Sequence, residues 1–178
     1  MRFLTCVVII GILVVHDARA DTSPVVPDRP GAYAVDRSIV PVSVQESVTN
    51  YVRVAYDYWK TQGLDHDAIC PNGVAVGYYW EPVHKSVGLS IIGTCRAWLE
   101  YDFLTENEGR GGQTADCMAT IHEVGHALGL DHSTDPSSPM YPELNGYVVP
   151  LCDQFRWTNL KRIYKKRRLH GSVSEAAS

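Results

Sequence analysis

Residues 122–132 read His-Glu-Val-Gly-His-Ala-Leu-Gly-Leu-Asp-His. His122 and His126 are four apart, so a helix puts both rings on one face, about a turn apart. Gly129 can adopt a left-handed conformation and end that helix. The chain can then turn and bring His132 back as a third nitrogen donor. Three neutral imidazoles suit one tetrahedral Zn2+ with an open fourth position, which is a catalytic arrangement; a closed structural site would use a fourth protein ligand. Glu123, next to the first ligand, can reach a water on that cation. The chemistry this allows is hydrolysis by a zinc-activated water, with Glu123 as general base. A bare H-E-x-x-H also occurs on ordinary helices. Here five fixed residues fall at set positions within eleven, which chance rarely supplies.

These residues need a helix beneath them, one that Gly129 ends. A first helix is expected over Ser43 to Gln62. Ser43 and Glu46 form a capping-box pattern. Val44, Val48, Tyr51, Ala55, Tyr58 and Trp59 trace one apolar stripe, and Gly63 is the stop. Strands are expected at Val74 to Trp80, after the turn signal Pro71-Asn72-Gly73, and at Gly88 to Gly93 and Ala97 to Phe103. Residues 104–114 read as a glycine-rich loop. Pro24, Pro27, Pro30 and Pro41 make residues 21–42 an extended arm or short pro-segment.

The 178 residues, 45% hydrophobic and 20% charged, suit one globular domain. They exclude collagen-like, coiled-coil and largely disordered chains. Arg2, the apolar run Phe3 to Val15 and Ala18-Arg19-Ala20 read as a cleavable signal peptide over residues 1–20, hence a secreted protein. No later stretch is apolar enough to span a bilayer. Past the signal stand Cys70, Cys95, Cys117 and Cys152, an even number in an exported chain. Two disulfides are the natural reading, with three pairings open. Residues 21–160 hold 8 Lys and Arg against 18 Asp and Glu, whereas residues 161–178 hold 6 against 1. The basic end suits a solvated helix terminus. It could also make weak contact with an anionic surface, while specific nucleic-acid binding has no support.

The spacing H-E-x-x-H-x-x-G-x-x-H is the metzincin signature. His122 to Pro142 resembles the matrixin branch, which includes the matrix metalloproteinases. Ser133 after the third His matches the matrixin run, and Ser138-Pro139-Met140-Tyr141-Pro142 resembles the family's Met-turn. The resemblance implies an α+β fold: a single zincin domain with a twisted, mostly parallel sheet, an edge strand, an active-site helix over Ala115 to Gly129 and a C-terminal helix. It implies a zinc endopeptidase with Glu123 as catalytic base, His122, His126 and His132 as metal ligands, and a protein or peptide as substrate. Met140 becomes a structural floor. The catalytic domain spans 43–168, with 153–168 as the C-terminal helix and 169–178 as a flexible tail. One strand within 88–102 should bind substrate by edge pairing. Family topology also brings the active-site and C-terminal helices together, which implies a Cys117–Cys152 disulfide. Met118 matches a position that helps set pocket depth, and Pro142-Glu143-Leu144 replaces the usual Pro-x-Tyr wall. An apolar side chain after the cut follows.

The sequence departs from the family in several places. No cysteine-switch motif precedes the domain, and matrix metalloproteinase domains typically lack disulfides. Past the expected signal peptide, only His66, His84 and His170 remain outside the motif, so no second zinc is expected. His66, between Asp65 and Asp67, reads as a polar turn rather than a cation site. The acidic 104–116 stretch could take Ca2+. Pro142 two residues after Met140 rules out the metal-bound Tyr of astacins and serralysins. A monomer is expected. The alternative to an enzyme is a metal-binding interaction protein on a metzincin scaffold, with little or no turnover.

Overall fold

The computed structural model describes residues 31–83, 86–106, 112–144 and 146–155. The expected signal peptide, the start of the expected arm, most of the expected C-terminal helix and the basic tail lie outside the described residues.

After a short strand β1 (Tyr33–Ala34) and a 3-10 turn (Arg37–Ile39), the first long helix α1 runs Val42–Thr61. The expected capping box does not form. Pro41 holds the N-cap, so Ser43 falls inside the first turn. No side chain caps the helix start; Gln45 instead donates its amide to the carbonyls of Val40 (2.9 Å) and Arg37 (3.2 Å), tying α1 to the preceding turn. The apolar stripe is buried as expected, with Val54 added and Tyr58 half-exposed. Gly63 ends the helix at φ +86°. Its N–H bonds Lys60 O, and the Leu64 N–H bonds Trp59 O, which is a Schellman stop. Only glycine takes that φ freely. Gly63→Ala is expected to cost about 1 kcal/mol, seen as a lower denaturant midpoint at unchanged slope.

A helical turn α2 (His66–Ile69) leads to β2 (Ala75–Trp80), β3 (Gly88–Ser90) and β4 (Arg96–Glu100). The sheet order is β1-β2-β4-β3. The α+β class holds, but the balance of the sheet differs from the mostly parallel one expected. Among the described residues only β2 and β4 pair in parallel, while β1 and β3 flank them antiparallel. The expected strands are also trimmed. β3 stops at Ser90 because Ile91 to Gly93 turn, with Gly93 at φ +72°. β4 stops at Glu100, whose buried carboxylate accepts from the Phe103 N–H at 2.6 Å. That side-chain cap starts α3 (Tyr101–Glu106), where strand and then loop were expected.

The helix α4 (Gly112–Ala127) starts three residues before its expected position. It packs on α1 to one side and on β3 and β4 to the other. The buried Trp59 ring of α1 donates Nε1–H to Ile121 O of α4 at 2.9 Å. Residues 150–155 are helical, and Phe155 meets Tyr51 edge-on at 4.8 Å. Disulfides join Cys70 to Cys95 and Cys117 to Cys152, the latter pair as the resemblance implied. Among the described residues no helix is long and apolar enough to cross a membrane.

Candidate active site

The last turns of α4 carry His122, Glu123 and His126. Gly129, at φ +107°, ends the helix, and the Leu130 N–H bonds back to Gly125 O at 3.0 Å. The chain therefore reverses, and His132 returns to the same face. The ring centroids stand 4.6 Å (His122–His126), 5.3 Å (His122–His132) and 4.7 Å (His126–His132) apart. One ligand atom from each of the three lies within 4.8 Å of the others.

The outer nitrogens decide how these rings present themselves. His122 donates Nδ1–H to Pro139 O and His126 donates Nδ1–H to Leu130 O, both at 2.8 Å. A carbonyl can only accept, so both protons sit on Nδ1 and both Nε2 lone pairs face inward, 3.0 Å apart. Burial lowers the His122 pKa to about 4, helped by the neighbouring His126 and His132. His126 is lowered as well, chiefly by burial. Neutral rings are what a metal requires. The donor set therefore fits a zinc ion.

Glu123 points into the same site and is only 4% exposed. Burial raises its pKa to about 7, countered in part by the Ser90 hydroxyl. A cation beside it would draw that value down again.

Beneath the histidines, Met140 is buried in the turn expected of it. The Ser133 N–H bonds its carbonyl at 2.9 Å, which ties the turn to the residue after His132. A Cβ on Gly125 would stand 2.4 Å from Met140 Sδ and 2.8 Å from Trp59 Cζ2. The motif's glycine thus lets α4 sit directly on Met140 and Trp59. Gly125→Ala overpacks that contact and is expected to cost about 1–3 kcal/mol, read by denaturant unfolding.

The histidines and Glu123 floor a cleft of about 500 Å³. Residues 86–90, including edge strand β3, form one wall, and Tyr141 to Leu144 form the other. Pro142-Glu143-Leu144 therefore lies where expected. Met118 does not: its Sδ accepts from the buried Val149 N–H at 3.2 Å, and Ala119 faces the cleft instead. The register of α4 turns position 118 toward the Cys152 segment.

Asp65, His66 and Asp67 also lie close together, but they build the polar turn that was expected. Asp65 caps α2 by accepting from the Asp67 N–H, and His66 stacks on Tyr56 at 3.9 Å. Calcium gains no support among the described residues. Asp116 is buried within α4, and residues 107–111 of that stretch lie outside the described residues. Gly88 and Ser90, which were not expected at the site, pack against Glu123 from β3. The only signal for them was two small residues spaced two apart.

The family model described as Matrixin matches residues 84–153, which hold the three histidines, Glu123 and Met140. The chain is 55% identical over 31 residues to a macrophage metalloelastase of Oryctolagus cuniculus, a match covering 17% of this chain and 6% of that protein. It is 33% identical over 69 residues to a "Probable matrix metalloproteinase 095L" of Invertebrate iridescent virus 3, covering 39% of this chain and 18% of that protein. The matches thus span less than a fifth of these relatives' own lengths. No solved structure matches. The histidine-bearing α+β unit and these matches together make residues 84–153 similar to a matrixin domain.

Proposed function

We propose that the protein is a secreted zinc endopeptidase. The observation that carries this reading is the convergence of three histidines, two of them neutral and anchored to backbone carbonyls, beside the buried Glu123 carboxylate, on the floor of an open cleft. His122, His126 and His132 would hold the ion. When bound, zinc polarises the scissile carbonyl and acidifies the attacking water. Glu123 accepts that water's proton and later delivers it to the leaving nitrogen. Its burial excludes competing solvent and keeps its basicity high enough for the task. Strand β3 pairs on one side with β4. Its other edge borders the cleft and suits an extended peptide, held by main-chain hydrogen bonds. The apolar side chain of Leu144 on the facing wall favours an apolar residue after the cut. Export is supported by the leader-like residues 1–20 and by two disulfides, which persist in oxidising compartments.

Chelation tests this reading. A zinc chelator is expected to abolish cleavage of a denatured protein, and added zinc to restore it. Cleavage that survives complete removal of the metal would sink the proposal.

A further inference from the structure

Gly88 and Ser90 lie two apart on β3, so both face the same way, toward α4. Gly88 is buried, and its backbone lies outside the left-handed region that calls for glycine. The reason for a glycine there is space. A Cβ at Gly88 would stand 2.4 Å from Glu123 Cγ, 2.5 Å from Oε1 and 2.6 Å from Cδ. Real Cβ atoms essentially never approach a heavy atom within 3.0 Å. The crowded atoms include Cγ, so turning the carboxylate tip does not relieve the contact and the whole side chain must swing. Ser90 holds the other end of the same residue: its Oγ–H donates to the Glu123 backbone carbonyl at 3.0 Å. Glu123 Oε2 has no hydrogen-bond partner among the described residues, so packing holds that side of the carboxylate while the Ser90 hydroxyl acts on the other.

We infer that Gly88 and Ser90 are positioning residues for Glu123: the cleft's edge strand sets the aim of the general base through a missing side chain and one hydroxyl. This rests on the proposed peptidase reading and deepens it. The strand proposed to pair with the substrate is then also the strand that seats the base, so one rigid element fixes both partners of the proton transfer.

The test uses the full chain loaded with zinc and a peptide that the parent cleaves. Gly88→Ala is expected to lower kcat by roughly 100-fold, the size of effect that about 1 Å of misplacement produces. KM should stay within about threefold, and zinc should remain at one per chain, because neither the peptide-pairing edge nor the histidines lose a group. Ser90→Ala creates no clash and is expected to lower kcat by roughly threefold to tenfold, as one lost hydrogen bond does. Gly77→Ala is the control. A Cβ there would crowd Trp98 at 2.5 Å, an equal strain on β2 away from the base. It should lower stability and leave kcat unchanged.

A Gly88→Ala protein that holds zinc and keeps parental kcat overturns the inference. So does a loss of kcat at Gly77→Ala equal to that at Gly88→Ala, since strain in the sheet would then account for both. Should Gly88→Ala fail to retain zinc, parental kcat in Ser90→Ala overturns it instead. A parent that holds zinc and cleaves nothing overturns the peptidase reading and this inference together, whereas a cleaving parent isolates the inference.

Discussion

Glu123→Gln is expected to lower kcat by about 10²–10⁴-fold while the chain keeps its fold and its zinc. The amide has the shape of the carboxylate, so the space beside Gly88 stays filled and the Ser90 bond to the Glu123 carbonyl stays in place. What it loses is the ability to take a proton. The three histidines are untouched, and their Nδ1 bonds to Pro139 O and Leu130 O do not involve Glu123. Nor does the substitution leave a buried charge without a partner, so its melting temperature should match the parent's. Steady-state kinetics beside a zinc assay check this. Full activity in Glu123→Gln would refute the assignment of the base. Loss of zinc along with activity would show instead that Glu123 shapes the metal site.

The second large effect concerns the cross-link between α4 and the segment beyond the Met-turn. Replacing both Cys117 and Cys152 by Ala is expected to cost about 2–5 kcal/mol. Both residues are fully buried, so the change also leaves small voids. The bond closes a loop with a sequence separation of 35, against 25 for Cys70–Cys95. Its loss frees more chain entropy in the unfolded state. At about 2–4 °C per kcal/mol, the melting temperature should fall by roughly 4–20 °C. Below the new transition, zinc binding should survive, because α4 keeps its packing on α1 and on the sheet. Calorimetry on the double variant decides the matter, and an unchanged melting temperature would contradict it.

The parts of the site legible in the sequence are those encoded by spacing within one helix. His122, Glu123, His126 and the Gly129 stop follow from helical periodicity and from glycine's freedom at positive φ. The stripe of α1 and its stop at Gly63 are legible for the same reason. What the sequence hides depends on groups distant along the chain. Ser43 has the right identity for a cap, but Pro41 takes the N-cap. Glu100 looks like a strand residue, yet its carboxylate reaches Phe103 and starts a helix. Met118 sits on the right helix, but the packing at Val149 turns it out of the cleft. Gly88 and Ser90 carry no periodic signal, because their meaning comes from α4, more than thirty residues on. The Cys117–Cys152 pairing was reached through the family resemblance, since cysteine spacing alone leaves three pairings open.

One zinc ion, held by His122, His126 and His132, is proposed to make this chain a peptidase. Titrating zinc into the metal-free mature chain, with peptide cleavage followed at each addition, tests it most directly. Activity is expected to start at zero, rise in proportion to added zinc and stop rising at one equivalent. Cleavage before any zinc is added, or one tightly bound equivalent with no cleavage, would contradict it.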